Sequence, residues 1–117
     1  MKISELLTDI NNGLYKLEQH KNLHDGEGKV TLIIPTGSDS ASALEGFILL
    51  ERDGDLYPSI GEHGHSDNTS EKYTVHYGSV EVNRRVFFKE ETATVGPGEK
   101  HNLQLLGKIA LVEFKKY

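Results

Sequence analysis

The apolar positions of the first twenty residues recur at helical spacing. Ile3, Leu6, Leu7, Ile10, Leu14 and Leu17 are separated by steps of three, one, three, four and three, a stripe along one side of a helix rather than the alternation of a strand. This predicts an amphipathic helix over about 4–21. Ser4 is placed to cap its N-terminus with Glu5 behind it, and His20 and Lys21 suit the partial negative charge at the other end. Gly26 and Gly28 stop it, while Gly13 weakens its middle. Such a stripe either covers a face or edge of the main body or forms a contact between two copies of the chain.

From Lys29 onward the pattern changes. The runs KVTLIIP, LEGFILLE, KYTVHYG, VEVNRRVFF, TATV and KIALVEF are short, rich in β-formers and punctuated by Gly, Pro, Asp and Asn. That is the rhythm of a sandwich or closed barrel. Asp53-Gly54 reads as a hairpin turn, and Asn83-Arg84 and residues 89–91 as turns between later strands. There is no internal repeat and no second helix of comparable periodicity. The expected class is all-β with one N-terminal amphipathic α-helix. Residues 1–28 would form the helix and its connection, and residues 29–117 a single β-barrel domain.

Composition narrows the functions open to such a barrel. The chain has 117 residues, near the common size of one domain, with 36% apolar and 8% aromatic residues. Its longest apolar runs, such as Phe47 to Leu50, fall far short of the roughly 20 residues that cross a bilayer, so no membrane partner is expected. The opening MKISELL lacks the apolar stretch and cleavage site of a secretory signal, which makes a cytoplasmic location the expectation. Absence of cysteine excludes disulfides, thiolate ligands and a cysteine nucleophile. Any metal must be held by nitrogen and oxygen. The formal net charge is −5, and basic residues occur as isolated pairs such as Arg84-Arg85 and Lys115-Lys116. Without a clustered basic stripe, nucleic acid is not an expected partner.

Three segments carry candidate chemistry. In Gly61-Glu62-His63-Gly64-His65, two histidines lie two residues apart, and in an extended chain such residues project from one face toward a single ion. In Glu71 to Tyr77, the odd positions Tyr73, Val75 and Tyr77 form the inward face, and Glu71 shares it. An ionised carboxylate inside a barrel is costly unless it is paired or binds a metal. The alternative is that Glu71, at the first residue of the strand, stays wet at the rim. His76 falls on the outward face and reads as solvated. In Val95-Gly96-Pro97-Gly98-Glu99-Lys100-His101, a Gly/Pro turn fixes the aim of a histidine entering the next apolar run.

Together these residues resemble the two motifs of the cupin superfamily, small jelly-roll barrels also described as double-stranded β-helices. The first motif has a glycine, five residues, H-x-H, three or four residues, a glutamate, six residues and a glycine. His63, His65, Glu71 and Gly78 follow that order, with the gap before Glu71 lengthened to five residues at 66–70. The second motif has P-x-G, two residues and a histidine. Gly98 and His101 match it, while Gly96 stands where the proline is expected and Pro97 sits beside it. The asparagine expected four residues after the histidine is Leu105, a departure that bears on packing rather than on metal binding. The resemblance covers about Leu44 to Phe114.

The resemblance implies His63, His65, Glu71 and His101 as ligands of one divalent transition metal. Three imidazoles and a carboxylate suit Fe, Mn, Ni, Zn or Co, and not calcium or magnesium, which take mostly oxygen. Four protein ligands in an octahedral site leave two positions for water, dioxygen or substrate. The implied function is an enzyme on a small polar organic substrate, of dioxygenase or isomerase type. The alternative is a non-catalytic cupin that binds or senses a sugar or organic acid. Tyr57, Tyr73 and Tyr77 either line a substrate pocket or serve as core aromatics. Arg84 and Arg85 either hold a substrate carboxylate or phosphate or form a solvated strand end. Open strand edges point to a homodimer.

Overall fold

Gly13 divides the N-terminal apolar stripe into two elements. Helix α1 (Ile3–Asn11) ends far short of the span predicted from spacing. The Gly13 amide donates to the Ile10 carbonyl and the Leu14 amide to the Asp9 carbonyl, each at 3.0 Å, with Gly13 at φ 80°. This is the Schellman closure, whose left-handed residue glycine adopts without strain. Strand β1 (Tyr15–His20) follows, so the segment assigned to a helix and connection also supplies a strand. Leu14 and Leu17, counted above as part of the helical stripe, are exposed. The helical spacing there is a coincidence of the sequence, overridden by pairing of β1 with β2 along its whole length.

The computed structural model describes residues 3–20, 28–39, 42–52, 59–63 and 69–117, and for His20 and residues 59–63 it describes the backbone. The remaining strands are β2 (Gly28–Pro35), β3 (Glu45–Arg52), β4 (Ser59–His63), β5 (Glu71–Tyr77), β6 (Val80–Val82), β7 (Arg85–Phe87), β8 (Thr92–Val95), β9 (His101–Leu105) and β10 (Ile109–Lys116). They form a six-stranded sheet in the order β1-β2-β3-β10-β5-β8 and a four-stranded sheet in the order β4-β9-β6-β7, all pairs antiparallel. Among the described residues no ladder joins the two sheets. The expected barrel is a jelly-roll sandwich, closed by side-chain packing rather than by hydrogen bonds. No helix among the described residues is long and apolar enough to cross a membrane.

Alternation along the strands sorts side chains into two cores. Val30, Leu32, Ile34, Ile48, Leu50, Val75, Val80, Leu103, Leu105, Val112 and Phe114 belong to the inner one, between the sheets. The intervening Ile33, Phe47 and Leu111 pack on the outer face of the larger sheet with Leu6, Ile10, Tyr15 and Leu49, beneath α1. The helix therefore covers one face of the body. Leu105, standing where the motif has asparagine, is fully buried in the inner core.

Two expectations for β5 need correction. The β5–β10 register pairs Val112 with Val75 but Leu111 with Tyr77, so His76 is an extra residue and the alternation breaks there. Tyr77 is consequently 50% exposed and does not face the interior. His76 is not solvated either. Its Nε2 lies 2.8 Å from Glu113 Oε1, and its ring lies 5.7 Å from that of Phe47 on the outer face. Gly78, in the motif position, has φ 77°, and an added Cβ would run into the carbonyl oxygen of Ile109. Both facts call for glycine.

Candidate metal centre

Glu71 opens β5 and His101 opens β9, on opposite sheets, and both side chains turn into the space between them. Glu71 is 3% exposed and His101 fully buried. The rim reading of Glu71 is therefore set aside. His101 Nε2 and Glu71 Oε1 are 2.7 Å apart, and the Tyr73 hydroxyl donates to the same Oε1 at 2.5 Å. The Tyr73 and His101 rings meet edge-on, with centroids 5.8 Å apart.

The turn before β9 sets the ring of His101. Pro97 and Gly98, with φ 71° at Gly98, form a turn closed by the Glu99 amide on the Gly96 carbonyl. The Glu99 carboxylate accepts from the Gly96 amide at 2.9 Å, and its carbonyl lies 3.2 Å from His101 Nδ1. A carbonyl only accepts, so Nδ1 carries the hydrogen. Nε2 is thereby the nitrogen turned toward Glu71, and a proton on Nε2 or on the carboxyl completes their contact. Burial by itself lowers the pKa of His101. The hydrogen bonds to Glu71 and to the Glu99 backbone, with the charges of both glutamates, outweigh that and leave it raised above the ordinary 6.5. Tyr73 is held well above its ordinary value, first by burial and then by the charge and hydrogen bond of Glu71.

The remaining ligand positions divide. Strand β4 pairs with β9, and its register sets His63 directly opposite His101. His65 and Tyr57 lie outside the described residues, as does the Asp53-Gly54 turn. Among the described residues, no group of three or more His, Asp or Glu gathers in a form suited to a metal ion. The donors that are described nevertheless fit one: a buried carboxylate and an imidazole nitrogen converge, and the other imidazole nitrogen is anchored to a backbone carbonyl, the common arrangement for ligating histidines.

A cavity of about 340 Å³ lies along the seam between the edge strands β7 and β8, lined by residues including Asn83, Arg85, Phe87, Thr92, Val95 and Glu99. Arg85 lines it, its guanidinium 5.8 Å from the centre of the Phe87 ring, and Arg84 does not. The cavity is linked to the buried pair through Val95, which pairs with Glu71, and through Glu99. Sequence reasoning missed the carbonyl of Glu99, because backbone partners leave no residue-type signal. The Tyr73 contact was readable in outline, since Glu71 and Tyr73 stand two apart on one face.

No family model matches the chain, and no curated protein matches it. Solved structures do. A predicted oxalate decarboxylase from Thermotoga maritima is 19% identical, with a TM-score of 0.68, covering 87% of this chain and 91% of its own. The cupin domain of CENP-C from Drosophila melanogaster is 13% identical, with a TM-score of 0.63 over 95% of this chain and 80% of its own. A cupin-like protein from Thermotoga maritima is 15% identical, with a TM-score of 0.58 over 83% and 72%. The chain has the fold of the small cupins. That fold hosts proteins described as enzymes and proteins described otherwise, so it does not by itself assign an activity.

Proposed function

We propose that the protein binds one divalent transition metal, Fe, Mn, Ni, Zn or Co, through His63, His65, Glu71 and His101, and acts on a small polar organic substrate by oxygen insertion or isomerisation. The observation that carries this reading is the buried meeting of Glu71 with the Nε2 side of His101, whose Nδ1 is tied to Glu99. When bound, the metal supplies Lewis acidity or, if it is iron, oxygen activation. The chain's own residues contribute a dry site and a fixed imidazole. We further propose a homodimer, supported by the open edge of β1 and the exposed Leu7 and Leu17, which sedimentation at several concentrations tests.

The deciding measurement of the metal reading is metal content by mass spectrometry on protein purified without an affinity tag, with His63→Ala alongside. About one equivalent of a transition metal, lost in the variant, is the expected result. No metal in either sample, even after reloading, rejects the site in favour of a ligand-binding barrel. The cavity beside Arg85 is then where an organic acid would be sought.

A further inference from the structure

Tyr73 is held on every side by the inner core. It is 1% exposed, stands opposite Phe114 on β10 and Ala93 on β8, and belongs to the same buried cluster as both. Phenylalanine would fill that space equally well. A hydroxyl placed there costs free energy unless it is hydrogen-bonded, so its presence has to be accounted for by its partner. That partner is Glu71 Oε1, and the 2.5 Å separation is that of a charge-assisted O–H···O contact.

A glutamate side chain has three rotatable bonds, and a carboxylate that must meet an imidazole needs them fixed. The Tyr73 hydroxyl and His101 Nε2 approach the same oxygen, from within β5 and from the facing sheet respectively. The ring of Tyr73 also lies edge-on against that of His101. One side chain thus touches both described members of the proposed ligand set, without itself belonging to the four residues that the motifs mark. We propose that Tyr73 is a positioning residue of the metal centre, its hydroxyl fixing the Glu71 carboxylate so that Glu71 and His101 present their donor atoms together. This rests on the metal-binding reading above. The raised pKa of Tyr73 is in keeping with the role, since the phenol stays a donor throughout the neutral range.

The test is calorimetric titration of the full, tag-free chain with zinc and with cobalt, comparing wild type, Tyr73→Phe and His101→Ala. Tyr73→Phe keeps the ring and should still bind one ion, with affinity lowered about 10- to 100-fold, the usual consequence of losing a partner of a ligating group. Its cobalt absorption bands should shift in position or intensity as the carboxylate loosens, a change that core packing alone would not cause. His101→Ala should bind neither ion. Equal affinity and an identical cobalt spectrum in Tyr73→Phe would overturn the role of Tyr73 while leaving the metal centre standing. No binding by wild type would overturn both. Should Tyr73→Phe fail to fold, the wild type decides by proton NMR. The buried Tyr73 hydroxyl should give a slowly exchanging downfield resonance that survives zinc loading, and its disappearance on loading would count against the assignment.

Discussion

The molecule contains two histidine–glutamate pairs of nearly the same length in very different settings. His101 and Glu71 meet at 2.7 Å between the sheets, with side chains 0% and 4% exposed. His76 and Glu113 meet at 2.8 Å on the outer face of the larger sheet, 16% and 24% exposed. Contact distance does not distinguish them; access to water does. On the outer face either partner can be rehydrated if the other is lost, so the pair adds little beyond what solvent would supply. Inside, each group depends on the protein for every hydrogen bond, and breaking the pair strands a charge. The inner pair is accordingly surrounded by Tyr73 and the Glu99 carbonyl, whereas the outer one rests against the ring of Phe47.

Removing one partner of each pair is the sharpest way to test that contrast. In metal-free protein, His101→Ala should lose about 3–5 kcal/mol of stability by urea unfolding, because Glu71 is left buried without its histidine. A loss under about 1 kcal/mol would mean that water reaches Glu71 and would erase the distinction between the pairs. Expectations that the barrel tolerates this change unharmed must be revised for the same reason. Loss of the metal should therefore be read in His63→Ala first.

A pH series gives an effect of intermediate size, confined to the inner site. Tyr73 is raised well above 10.0 in the folded chain, so above pH 10 the unfolded chain releases its phenol proton while the folded chain keeps it. The unfolded state then binds fewer protons, and stability falls with rising pH. This contribution is intact below pH 10 and is lost as pH climbs from there through the raised value. Thermal melts between pH 9 and 11.5 should show a steeper decline in wild type than in Tyr73→Phe. Parallel curves would place the inner phenol in contact with solvent. The smallest effect belongs to the outer pair, where His76→Ala should cost about 1 kcal/mol or less and lose part of even that in high salt.

Most of the sandwich was legible because its strands are patterned. Every β-rich run from KVTLIIP onward became a strand or hairpin, including the turn at Asn83 and Arg84, both with positive φ. Strand β1 was hidden, since Leu14 and Leu17 happen to extend a helical spacing and only the closure at Gly13 contradicts it. Tyr77 was misplaced because a bulge is a property of two strands in register and cannot be seen in one of them. In the proposed site, side-chain donors announced themselves through residue type and spacing. What orients them, a backbone carbonyl and a hydroxyl, did not. Sequence separates the residues that bring chemistry from the framework that aims it, and the former are far easier to read.

Glu99 joins two tasks in one residue. Its carboxylate fastens the 96–99 turn and its carbonyl selects the tautomer of the following histidine. Loop engineering at this end of the sandwich is therefore constrained in an unexpected place. Lengthening the turn by one residue would alter which imidazole nitrogen is free even though no proposed ligand had been touched, and any graft of this turn onto another scaffold should carry residues 96–101 as a single cassette.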